Sequence, residues 1–243
     1  MPRASDPVGP AVTVAVTRVI NACVLLEIDG EFVLTDPCFA RPFGMRFNEP
    51  FGLSTDELPA LSAIVVGHRV PDHWQPAALR RLRLERASTP VFVPSARMAR
   101  VARRAGYPMA EVLRWGDRRS AGRLAIDCLP GERVTGMRTN AYLIASSTAS
   151  VLVATEARTV VPDKRVDVAL LPIDGAEILG RPLVMDATTA ASTARRLEAT
   201  LVPIHFSQEP RPPLLRCPSG RDQLPPDVHV PRTGVRTVVY VDS

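Results

Sequence analysis

The chain has 243 residues, 46% of them hydrophobic, with 30 Lys and Arg against 25 Asp and Glu for a formal charge of +5. That length and apolar content suit one large packed domain and exclude an intrinsically disordered chain. No apolar run approaches the ~18 residues that cross a bilayer, and Met1–Pro10 lacks the apolar stretch of a secretion signal, so the expected location is the cytoplasm.

Residues 1–11 read as an N-terminal extension and 12–243 as one domain. Val12 to Val19 and Ala22 to Ile28 read as strands, and Asp29-Gly30 is a hairpin turn leading to the returning strand Phe32 to Thr35. Asp36-Pro37 ends that strand. Residues 38–57 form a long loop of the kind that walls a binding site. After Leu58 to Leu61 comes the apolar strand 63–66. Gln75 to Arg86 has helical spacing, Val91 to Val93 is a short buried strand, and Ser95 caps a helix over 96–105.

The second half repeats the alternation. Arg123 to Leu129, Ala141 to Ala145, Val151 to Ala154 and Val168 to Pro172 read as strands. Ala187 to Ala199 reads as a helix, followed by a strand from Leu201 to Ile204 and a closing β segment from Val235 to Val241. The Pro-rich stretch 209–226 is a long loop. Cys23, Cys38, Cys128 and Cys217 have no paired metal spacing and read as buried free thiols.

Arginine supplies nearly all the positive charge, and Lys164 is the only lysine. The clusters Arg80-Arg81-Leu82-Arg83 and Arg100-Val101-Ala102-Arg103-Arg104 read as solvated helix faces, because no aromatic residues interleave with them as nucleic-acid binding requires. Neither nucleic acid nor membrane is an expected partner. A small molecule is, and a homo-oligomer stays open.

The segment Gly67-His68-Arg69-Val70-Pro71-Asp72-His73-Trp74 follows the apolar run Ala63-Ile64-Val65-Val66. It resembles the His-x-His-x-Asp-His metal loop of the metallo-β-lactamase superfamily, with Val70 at the second histidine position. Other motifs follow in the same order. Cys23 to Gly30 with Val33-Leu34-Thr35-Asp36-Pro37 resembles that family's first hairpin. Val151 to Glu156 resembles the strand that presents a bridging aspartate, and Leu201 to His205 the last ligand-bearing strand. The set is similar to the branch that includes ascorbate-6-phosphate lactonases and covers roughly residues 12–240.

The resemblance implies an αββα sandwich, two mixed β-sheets packed face to face with helices outside. It also implies two metal positions. The first would use His68, the Val70 position and a histidine that here falls at Arg133, after Pro130-Gly131. Valine cannot ligate and arginine stays protonated, so two of its three ligands are missing, and the Arg133 cation would stand where that ion was. The second would use Asp72, His73 and His205, with Glu156 in place of the bridging aspartate. Two imidazoles and two carboxylates suit one divalent ion, with zinc favoured over iron or manganese.

On this reading the chain is a hydrolase of a small lactone, ester, amide or phosphodiester, with His68 and Asp72 as catalytic proton carriers beside the metal. Arg41, Arg46 and Arg133 would hold an anionic substrate group through guanidinium pairing. Asp36 would orient the metal loop through hydrogen bonds, and Asp174, in a turn with Gly175, would line the pocket or serve the turn alone. The alternative keeps the fold and loses the metal, leaving a small-molecule binding protein or a non-hydrolytic enzyme of specialised metabolism. An RNA-processing nuclease would need an intact two-metal site and an added RNA-binding element, and neither is visible.

Overall fold

A computed structural model describes residues 13–82, 86–134, 136–159, 162, 165–211 and 214–240. The first turn decides the first sheet. Asp29 and Gly30 adopt φ of 51° and 78°, the mirror-image turn that matches the twist of two paired strands. It folds β2 (Cys23–Ile28) onto β3 (Glu31–Thr35), with Leu26 opposite Val33. β1 (Thr13–Ile20) pairs antiparallel with the other edge of β2. β4 (Ala63–Val65), β5 (Val91–Val93) and β6 (Ala110–Val112) then add in parallel, and β16 (Thr237–Tyr240) joins β1.

The second sheet starts from β7 (Arg118–Ala121), β8 (Leu124–Val134) and β9 (Met137–Ala145), all antiparallel. It continues through β10 (Ser150–Val153), with β11 (Val168–Pro172) and β14 (Thr200–Ile204) parallel to it. β12 (Glu177–Ile178), β13 (Arg181–Pro182) and β15 (Leu215–Arg216) form a small third sheet.

Strand periodicity sorts the side chains into three apolar layers. From β2, Val24, Leu26 and Ile28 enter the space between the two large sheets, while Cys23 and Leu25 turn to the outer side. From β10 and β11, Val151, Val153, Val168 and Leu170 face the first sheet, while Leu152, Ala169 and Leu171 face outward. Strands buried on both faces read as unbroken apolar runs, which is why these segments were so plain in the sequence. α1 (Pro76–Arg81) and α2 (Ala96–Arg104) cover the outside of the first sheet, and α3 (Ala187–Arg196) covers the second. This is the expected αββα sandwich. Each fully buried Leu, Val or Ile contributes roughly 1.5–3 kcal/mol to it.

Local chemistry sets the helix ends. Ser95 caps α2 as expected, its hydroxyl accepting from the Met98 amide, and Asp186 caps α3 through the Thr189 amide at 2.7 Å. α1 is shorter than its spacing predicts. It has no side-chain cap, Leu82 already has extended ψ, and residues 83–85 lie outside the described set. α3 closes at Leu197, because Glu198 turns left-handed at φ 53°. The hairpin β8–β9 is longer than expected at both strands, and β6 and β7 were not foreseen. β7 reads Arg-Arg-Ser-Ala and pairs only along one edge, so no apolar alternation marks it. The cysteines are free, but Cys217 is only half-buried.

Candidate metal centre

The carboxyl ends of β3, β4, β10, β11 and β14 converge at one rim of the sandwich. Asp36 follows β3, the His68–His73 loop follows β4, Glu156 follows β10, Asp174 follows β11 and His205 follows β14. Loops leaving such strand ends are where ligands bind in α/β sheets.

Two carboxylates fix the two central imidazoles. Asp36 has φ 41°; its Oδ1 accepts the Gly67 amide at 2.6 Å and its Oδ2 lies 2.9 Å from His73 Nδ1. On the opposite strand, Asp174 Oδ1 accepts the Ala176 amide at 3.1 Å and Oδ2 lies 3.2 Å from His205 Nδ1. Nδ1 of each ring faces its carboxylate, which turns both Nε2 atoms inward. That carboxylate–histidine arrangement is how proteins orient imidazole ligands. The two Nε2 atoms end 3.1 Å apart. A proton on one of them, or a cation between them, offsets the repulsion of two lone pairs at that distance.

Two more carboxylates complete the cluster. Glu156 Oε1 is 3.0 Å from His73 Nε2 and 3.7 Å from His205 Nε2. Asp72 Oδ2 is 3.5 and 3.8 Å from the same atoms and is held by the Asn21 side-chain amide at 3.1 Å. The separations among Asp72, His73 and His205, 3.1–3.8 Å, lie around the roughly 3.3–3.6 Å edges of a tetrahedron with bonds of about 2.0–2.2 Å, and Glu156 adds a donor beside the two imidazoles. Ligating atoms of Asp72, His73 and His205 all lie within 4.8 Å of one another. The cluster is buried, with His73 fully so.

Electrostatics point the same way. Burial alone would lower the pKa of His73, but the Asp72 and Asp36 carboxylates outweigh it and push the pKa up to about 10. His205 is likewise driven well up, Asp174 and Glu156 overcoming its burial. Glu156 goes the other way: burial would raise it, but the neighbouring imidazoles of His205, His68 and His73 hold it well below the usual carboxylate range. A buried site that favours ionised carboxylates and cationic imidazoles is one that calls for positive charge.

His68 differs from its neighbours. It is buried, yet neither ring nitrogen has a hydrogen-bond partner, and its Nδ1 is 3.6 Å from Glu156 Oε1. Glu156 Oε2 is equally unpartnered. Both residues face a cavity of about 310 Å³ that Asp72, His205 and Val70 also line.

The structure thus brings together His68, Asp72, His73, Glu156 and His205, with Asp36 and Asp174 behind them. Glu156, one methylene longer than the aspartate it replaces in the motif, points inward. The expected arginines fare differently. Arg41 and Arg46 are exposed and line an adjoining cavity that shares Gly44, Met45 and Arg211 with the one over the cluster. The loop carrying them is tied to the segment after β14 by the Phe47–Gln208 bridge and by the Asn48 amide on Ser207 O. Arg133 lies in β8 opposite Arg138 of β9, and its side chain is outside the described set.

Sequence reasoning missed two supports. Asn21 occupies the β1–β2 turn at φ 47°; besides holding Asp72, it accepts the His205 amide on its backbone oxygen at 3.1 Å. Arg18 is fully buried and bonds Glu49 at 2.6 Å, Ser207 Oγ at 2.9 Å and Pro231 O at 2.8 Å, with its guanidinium over the Phe206 ring. An arginine and an asparagine inside the apolar run Val14–Leu26 were the available signal.

The family model of the Beta-lactamase superfamily domain matches residues 31–206, well over half the chain. The chain belongs to this superfamily and has the metallo-β-lactamase fold. A search of curated proteins by sequence found no match. Among solved structures, a possible metal-dependent hydrolase from Veillonella parvula is similar at TM-score 0.73 and 16% identity, over 95% of this chain and all of that one. An isothiocyanate hydrolase from Delia radicum gut bacteria is similar at 0.72 and 17%, over 94% of this chain and all of that one. CmlA, a diiron β-hydroxylase from Streptomyces venezuelae, is similar at 0.67 and 15%, over 97% of this chain but 55% of that one. At these identities the likeness concerns the fold.

Proposed function

We propose that the protein is a metal-dependent hydrolase of a small molecule, built on a single ion held by Asp72, His73, Glu156 and His205. The observation that carries this is the pair of Nε2 atoms 3.1 Å apart, each on a ring whose Nδ1 is held by its own buried carboxylate. A divalent ion, zinc before iron or manganese, would supply a Lewis acid for the scissile oxygen and lower the pKa of water to about 7. Asp36 and Asp174 keep both imidazoles in the ligating tautomer. His68, unpartnered and facing the cavity, carries a proton between the attacking water and the leaving atom, and Asp72 is the second acceptor. Lactones, esters, amides and phosphodiesters all suit this chemistry, and the motif order keeps the lactonase-like branch as the first place to look.

Metal content by elemental analysis, on protein purified without chelator or histidine tag, tests the reading. About one equivalent, lost in His73→Ala together with hydrolysis, supports it. No metal after reconstitution removes it and favours the metal-free pocket, a reading that rests on Val70 lining the cavity where a histidine ligand was expected.

A further inference from the structure

Beyond the cluster itself, the cavity over the centre is walled mainly by apolar side chains. Val70, Ala176, Ile178, Leu183, Val184 and Leu215 line it. The small third sheet supplies Ile178 from β12 and Leu215 from β15, so that sheet forms one apolar wall. The apolar surface continues outside. Phe43, Leu179 and Leu214 are 107%, 73% and 58% exposed and make up half of the exposed large apolar side chains among the described residues. Phe43 and Leu214 line the cavity mouth, and the Leu179 amide bonds Leu214 O at 3.2 Å. Clustered exposed apolar groups mark a binding surface, whereas scattered ones do not.

Cationic charge at the cavity is confined to exposed arginines at its rim. Outside the metal cluster, Arg211 is the one cation among the described lining residues, and its guanidinium donates to the Gly44 carbonyl. With a divalent ion, Asp72 and Glu156 leave the centre formally neutral. A substrate carrying its own negative charge would meet two carboxylates and bury that charge against hydrocarbon, which is costly. At about 30 Å³ per water-sized group, the cavity of about 310 Å³ accommodates about ten non-hydrogen atoms.

We infer that the substrate is an uncharged acyl compound with an apolar tail: the reacting carbonyl sits at the His73–His205 end and the tail runs along Ile178 and Leu215 toward Phe43 and Leu214. This rests on the hydrolase reading for the reacting group, while the tail site rests on the walls alone.

Calorimetric titration of the zinc-loaded full-length protein with straight-chain alcohols from butanol to octanol tests the tail site. Affinity is expected to tighten about fourfold per methylene. That gain should fall below about twofold in Ile178→Asp, and in Leu214→Asp, where the change is at the exposed rim and leaves the packed core untouched. A flat series, or the same slope in both variants, overturns the inference. Hydrolysis of phenyl acetate and phenyl hexanoate separates the two claims. A steep alcohol series with neither ester hydrolysed keeps the tail site and removes the hydrolase reading. Equal hydrolysis of both esters with a flat alcohol series keeps the hydrolase and removes the tail.

Discussion

The two halves of the metal loop have separate fates. At Asp72 and His73 every inward donor has support: Asp36 behind His73, Asn21 on Asp72, and Asp174 behind the facing His205. At His68 and Val70 there is none. The histidine ring has no partner on either nitrogen, and its neighbour in the motif is a hydrocarbon. The contrast teaches that a valine at one motif position need not disturb the pairs beside it, because His73 and His205 each have their own buried carboxylate.

The largest expected effect breaks the supported half. His73→Ala should take metal content from about one equivalent to none, read by elemental analysis, with hydrolysis lost alongside. Asp36→Asn or Asp174→Asn keeps every ligand and removes only the charge behind one ring. Each should weaken zinc affinity about 10–100-fold in competition with a chromophoric chelator, and no change would detach the carboxylates from the site.

A third prediction uses pH. Binding must displace the proton that His73 holds up to about 10. Apparent zinc affinity should therefore rise with pH, about tenfold per unit for each proton displaced, and flatten near that value. The metal-free protein should run the opposite way. The raised His73 pKa contributes stability that is complete below the ordinary value of 6.5 and is lost as pH rises through about 10. Its melting temperature after chelation should fall across that interval.

The smallest effect sharpens the unsupported half. Val70→His with Arg133→His should move metal stoichiometry from about one toward two, restoring donors beside the idle His68. Unchanged stoichiometry would separate Arg133 from the site.

The sequence was most legible where one residue type does one local job. Asp29-Gly30 announces its turn, the doubly buried strands announce themselves as apolar runs, and His68, Asp72, His73 and His205 occupy motif positions. It was least legible where function depends on partners far apart in the chain. Arg18 meets Pro231 across 213 positions, and no local pattern foretells that pairing. Arg41 and Arg46 were hard to place for the same reason, since a guanidinium in a long loop says nothing about which way the loop faces. β7 escaped because an edge strand with polar side chains has no period to detect.

The family match begins at residue 31, after the turn that carries Asn21. Yet that one residue holds Asp72 through its amide, accepts the His205 amide, and receives the Ser207 amide on its side-chain oxygen at 3.3 Å. A fragment cut at the family boundary would keep all four proposed ligands and lose the strut that brings their two strands into register. Anyone trimming, fusing or transplanting this domain has to carry the first hairpin with it, because the minimal unit for the metal centre is larger than the minimal unit for recognising the family.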